Sequence, residues 1–221
     1  MKKLIVTFLA LISFSSYSLS ANDIRPAEDA VEEGVKMVLN TIESNIGANG
    51  EIADQQAFID TMVGELRPII GFQQIAIKVM GAHFKTATRD QKIRFIKAFT
   101  NSMVQTYAAG MVNFVGYEVK VVSSRDNQKN TYKNTRIYLD VVSPDGPKYP
   151  MVQSLYYSKK NESWLIQNIE FNGINLGIMF ANQFSQVMSD NDNDLDKAID
   201  AWVKSTQESY EGTSFRDKEA R

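Results

Sequence analysis

One histidine and no cysteine stand among the 221 residues, and those two counts remove most covalent chemistry from this chain. Without cysteine there is no thiol nucleophile, no zinc-thiolate site and no disulfide. No serine sits in a G-x-S-x-G elbow, and a serine triad would need His83 as its base. His83 has no second histidine or carboxylate at ligand spacing, so it reads as a helix-end or packing residue and not as a ligand. The run Asp190-Asn191-Asp192-Asn193-Asp194 resembles a calcium loop superficially. It lacks the turn glycine and the closing bidentate Glu, which makes it a solvated link between helices. No glycine-rich phosphate cradle occurs. The residue types thus call for no metal, no cofactor and no catalytic site.

What remains is apolar. Ile93, Ile96, Phe99 and Met103 fall at helical spacing, and Ile137, Leu139 and Val141 alternate along one strand face. By residue type alone these are ordinary packing positions. The hydrophobic share of 43% suffices for one sizeable core, and the net charge of -2, with basic residues dispersed, argues against a nucleic-acid partner.

The elements that position these residues follow from period. A helical stripe runs from about Glu28 to Asn45 through Val31, Val35, Val38-Leu39 and Ile42, ended by Gly47 and Gly50. A second covers Asp54 to Leu66, and Pro68 interrupts or restarts it before Ile69-Ile70, Ile75, Val79 and Met80. Thr88 with Gln91 three residues on is a capping box, so the longest helix starts at Arg89 and carries Ile93, Ile96, Phe99, Met103 and Tyr107. After Gly110 the period becomes two. Val119 and Val121, then Ile137 to Val141, Tyr149 to Tyr157, and Trp164 to Phe171 read as four strands. Their short links favour an antiparallel meander. Gly173 marks the exit, and helices over Leu176 to Met188 and Leu195 to Thr206 complete an α+β chain whose helices cover one sheet face.

The amino terminus reads as a secretory signal peptide over 1–20. Lys2-Lys3 supply the positive region, Leu4 to Phe14 an apolar stretch too short to span a bilayer, and Ser18-Leu19-Ser20 the cleavage pattern before Ala21. Without cysteine there is no lipoprotein anchor. One domain is expected over 21–209, with a charged, frayed tail over 210–221.

Gly81, Phe84, Lys85, Ala87-Thr88, Gln91, Phe95, Phe99 and Tyr107 together resemble the MlaC family, also called toluene-tolerance auxiliary proteins. The segment Trp164 to Leu176 is similar to the family's W-x-V-x-D-V-x-x-x-G-V-S, with Asn168 where Asp is common and Asn175 where Ser is common. The resemblance spans roughly Val31 to Lys204. It implies a nuclear-transport-factor-like cone of sheet wrapped by helices, working in the periplasm as a non-catalytic carrier. The cargo would be a diacyl phospholipid, exchanged between an inner-membrane ABC transporter with its substrate-domain complex and an outer-membrane lipoprotein/porin complex, maintaining outer-membrane lipid asymmetry. It also implies that acyl tails lie between sheet and helices. The lipid-facing set is then Leu66, Ile70, Val79, Phe84, Ile96, Phe99, Met103, Tyr107, Val119, Val121, Ile137, Leu139, Val141, Leu155, Trp164 and Ile166, with Leu139 central to its strand face. Met62, Met80, Met103, Met111, Met151 and Met179 would lend the pocket unbranched, adaptable side chains. Two other classes stay open: a ketosteroid-isomerase-like enzyme, which would need an acid or base on the inward strand faces, and an envelope adaptor or chaperone that binds proteins.

Overall fold

Two of the helices ahead of the sheet begin with side-chain caps. Asp54 accepts a hydrogen bond from the Ala57 amide at 3.0 Å and starts α2 (Gln55–Ile69). Thr88 Oγ1 accepts from the Gln91 amide at 3.2 Å while Gln91 Oε1 accepts from the Thr88 amide at 2.9 Å, so α5 (Arg89–Gly110) starts where the capping box puts it. The structure, a computed structural model, describes residues 24–123 and 129–212, with residues 206–212 described by backbone alone. The segment 1–20 read as a signal peptide, and positions 213–221 of the expected tail, lie outside the described residues. Ahead of the sheet the chain also forms α1 (Ala27–Ser44), α3 (Phe72–Met80) and the single turn α4 (His83–Thr86). After the sheet come α6 (Leu176–Asp190) and α7 (Leu195–Gly212), the latter running into the segment expected as tail. No described helix is long and apolar enough to cross a membrane.

The sheet is an antiparallel meander in the order β1-β2-β3-β4-β5, made of Glu118–Val122, Thr135–Val142, Lys148–Ser158, Ser163–Phe171 and Ile174–Asn175. The fifth strand exceeds the four that the alternation indicates. Asn172 and Gly173, both at positive φ, close a two-residue hairpin that turns the chain back onto Phe171 before α6 begins. Along β4 the alternation slips by one residue: Ile166 opposes Leu155 but Asn168 opposes Ser154, leaving Gln167 as the bulged position.

Pro68 sits in the last turn of α2 and does not break it; the chain leaves the helix at Ile70, which is extended. One helical face differs from expectation. Phe95, Phe99 and Met103 form the buried stripe of α5, whereas Ile93 is 55% exposed. The reason is α7, whose Trp202 ring lies 5.9 Å from Phe95 and 6.0 Å from Phe99 and so fixes which side of α5 faces inward.

Three apolar clusters hold the layers together. The first joins α3, α5, α6 and α7 around Phe95, Phe99, Phe184 and Trp202. A second joins Ala27 and Val31 of α1 to Ile137, Leu139 and Leu155 of the sheet, and a third packs Ile42, Phe58, Met62 and Leu66. Ile70 borders all three. The space where they would meet is not filled.

Candidate ligand cavity

That unfilled space is a cavity of about 820 Å³, partly open to solvent, in the upper part of the ~300–1,000 Å³ range of ligand pockets. Its helical wall begins with the whole α1 stripe, Val31, Val35, Val38, Leu39 and Ile42, and continues through the end of α2. The opposite wall is β3, which presents Met151, Gln153, Leu155 and Tyr157 in strict alternation, beside Trp164, Ile166 and Ile169 of β4. The slip at Gln167 is what keeps both Ile166 and Ile169 on the inner face. Phe99, Tyr107 and Phe180 close another side with edge-to-face rings, Phe180 lying 5.9 Å from Phe99 and 6.2 Å from Tyr107.

Backbone hydrogen bonds and close approaches hold this wall. Gly71 donates to the Ile166 carbonyl at 2.8 Å, so α3 begins directly against β4, and a Cβ at residue 71 would come within 2.8 Å of Tyr156 Cε1. Asn168 Oδ1 accepts from the Gly177 amide at 3.0 Å and Asn175 Oδ1 from the Ile178 amide at 3.0 Å. The two positions that depart from the family's residue pattern thus both fasten the start of α6, and either task needs an acceptor oxygen, not a charge. Trp164 Nε1 donates to the Arg25 carbonyl at 2.7 Å and ties the chain before α1 to the sheet.

Polar groups are few on the wall. Arg25 pairs with Glu33 and donates to the Asp29 carbonyl, all in exposed positions, and Glu162 is exposed in the β3–β4 turn. Burial pushes the Tyr107 phenol up to about 12, so it stays neutral at any physiological pH. His83 opens α4 with its ring edge-on to Phe184 at 6.2 Å. Asp194 of the acidic run caps α7, accepting from the Asp196 and Lys197 amides. Among the described residues no three His, Asp or Glu side chains gather as a metal site.

Of the candidate residues, Leu66, Ile70, Phe99, Met103, Tyr107, Val119, Val141, Leu155, Trp164 and Ile166 come together on the cavity wall. Six do not. Val79 is buried in the first cluster, with Phe84 and Ile96 packed against it and the Lys92 ammonium 4.8 Å above the Phe84 ring. Ile137 and Leu139 close against Ala27 and Val31 of α1, with Val121 at their margin, so this part of β2 is filled core. Conversely, the α1 stripe, Gln153 and Phe180 are on the wall although the resemblance does not single them out. Of the methionines, Met103 and Met111 line the cavity with Met151 and Met37, Met62 and Met80 fill core, and Met179 is 42% exposed.

Comparison with known proteins places the chain among relatives. A family model described as MlaC protein matches residues 29–204. The toluene tolerance protein ttg2D of Pseudomonas putida is 25% identical over 194 residues, 87% of either chain. The intermembrane phospholipid transport system binding protein MlaC of Haemophilus influenzae is 23% identical over 137 residues, 60% of this chain and 63% of that one. Among solved structures, a phospholipid-binding protein from Ralstonia solanacearum, in complex with a phospholipid, superposes with a TM-score of 0.68 at 19% identity. It covers 86% of this chain and 99% of its own, and the likeness is one of fold.

Proposed function

The chain belongs to the MlaC protein family, and from that membership we propose that it is a periplasmic phospholipid-binding shuttle. The observation that carries the reading is the cavity of about 820 Å³ with a wall mainly aliphatic and aromatic. Support comes also from the relatives, one named for intermembrane phospholipid transport, and from a like-folded protein solved with a phospholipid. A two-chain lipid has some thirty methylenes, and at about 0.8 kcal/mol each their exposure to water costs on the order of 20–25 kcal/mol. Passage between membranes therefore needs an apolar enclosure, and a space between sheet and helices is one. Release needs a wall that can give, and the thioethers of Met37, Met103, Met111 and Met151 suit that.

Residues 1–20 act as the export signal, and the mature chain works without covalent chemistry of its own. It takes lipid from or gives it to an outer-membrane lipoprotein/porin complex and an inner-membrane ABC transporter complex, sustaining outer-membrane asymmetry. The carboxylates of the wall, Glu33 and Glu162, stand exposed at its edge and not inside, and Tyr107 holds its proton, which suits a binding site better than a proton-transfer site.

Transfer between two vesicle populations, separated by a membrane that passes protein but not vesicles, tests the reading. Phospholipid appearing in acceptor vesicles in proportion to added protein is the expected result. Acceptor vesicles that gain none would overturn it.

A further inference from the structure

Two glutamines of the sheet are equally buried and very differently served. Gln167, 7% exposed at the β4 bulge, donates to the Lys133 carbonyl at 2.9 Å, to Asn134 Oδ1 at 3.2 Å and to the Leu155 carbonyl at 3.3 Å, and accepts from Lys78 Nζ at 2.7 Å. Gln153, 9% exposed, lies on the cavity wall in the middle of β3. Its Nε2 reaches only the Met151 thioether at 3.8 Å, a weak acceptor, and among the described residues its Oε1 has no hydrogen-bond partner. Oε1 is open to the cavity and not sealed, so the under-served side of the amide is its donor: a thioether is a poor acceptor, and buried polar side chains nearly always find a better partner. Here the missing partner has a place to stand, because the side chain borders the cavity.

We infer that the Gln153 carboxamide recognises the ester carbonyl of a bound acyl chain, donating an N–H to that oxygen and setting the depth at which the lipid sits. The inference rests on the phospholipid reading above and adds to it a named point of contact. The surroundings select a neutral acceptor. Gln153 is flanked along β3 by Met151 and Leu155 and faces Ile137 and Ile169 across the strands, all apolar. Arg25, the cation on the wall, is bound to Glu33 and lies by Trp164, whose partner Tyr157 is four residues along β3, about 13 Å away at strand spacing. A phosphate or a free carboxylate at Gln153 would be buried without a counter-charge, whereas an ester oxygen needs only the amide.

Delipidated mature protein offered mixed vesicles of a diacyl phosphatidylethanolamine and its dialkyl ether counterpart, alike in chain length and head group, tests this. The ether lacks the carbonyl. The wild type should favour the ester about three- to tenfold, the yield of one hydrogen bond in a dry site. Gln153→Leu, similar in size and apolar, should bring the ratio close to one while keeping both lipids bound. With carbonyl-labelled ester, the bound infrared C=O stretch should fall in the wild type and recover in the variant. A wild-type ratio near one, an unshifted carbonyl, or a preference that survives Gln153→Leu would each overturn the inference alone. Binding of neither lipid by the wild type would overturn the phospholipid reading and the inference with it.

Discussion

Leu139 and Met151 face each other across β2 and β3, yet only Met151 borders the cavity. The two should answer truncation differently. Leu139 is fully buried in the second cluster, beneath α1 and off the cavity wall, so Leu139→Ala opens a new void and should cost about 3–4 kcal/mol, within the range for buried leucines. Met151 is half-buried with one side on space that already exists. Met151→Ala only widens that space and should cost about 1 kcal/mol, the dispersion attraction between its thioether arm and the side chains beside it on the wall. For a chain of this size about 1 kcal/mol moves the melting temperature by about 2–4 °C, so the expected falls are about 6–16 °C and about 2–4 °C. Circular dichroism melts of the delipidated proteins read both. Charge sharpens the contrast: Leu139→Asp buries an unpaired carboxylate and should not fold, whereas Met151→Asp should fold, its carboxylate solvated by the empty cavity, and should bind no lipid. Equal destabilisation by the two alanine substitutions would refute this placement of the boundary between core and cavity.

Three further outcomes follow from single interactions. Thr88→Ala removes the cap acceptor of α5 and should cost about 1 kcal/mol, seen as a melting temperature lower by about 2–4 °C with lipid occupancy unchanged. The Tyr107 phenol is raised to about 12 by burial, so the folded chain keeps a proton that the unfolded chain releases from about pH 10. Its contribution is whole below about pH 10 and is lost as pH rises toward about 12, by up to about 2–3 kcal/mol; denaturant unfolding across that window should show a slope that Tyr107→Phe lessens. Gly71→Ala would set a Cβ 2.8 Å from Tyr156 Cε1 and 3.2 Å from the Ile166 carbonyl, and should cost about 1–3 kcal/mol, read as a lower urea midpoint with a lengthened approach of α3 to β4.

The sequence exposed what depends on neighbours along the chain. The cap at Thr88, the helical stripe of α1 and the alternation of β2 and β3 are local signals, and the structure follows them. The face of α5 was not local: Ile93 and Phe95 are both apolar, and the choice between them is made by Trp202, more than a hundred residues later. The β5 hairpin did carry a signal, since Asn172-Gly173 is the dipeptide that two-residue turns favour, but a strand of two residues leaves no alternation to accompany it. The cavity was the least legible feature because it is defined by what side chains fail to fill. Leu139 and Leu155 are the same residue type on adjacent strands, both fully shielded from solvent, and only Leu155 reaches the cavity. Gln153 offered the one polar signal on that face, visible in the sequence as an amide amid inward-facing apolar residues.

Native mass spectrometry of the mature chain, purified from a Gram-negative periplasm without detergent, tests the central claim most directly. The account predicts a folded protein carrying the added mass of a diacyl phospholipid, identified after extraction, with Met151→Asp folded but empty and Asp140→Ala, on the opposite sheet face, as fully loaded as the wild type. A folded wild-type chain that carries no lipid, and takes up none from phospholipid vesicles, would contradict it.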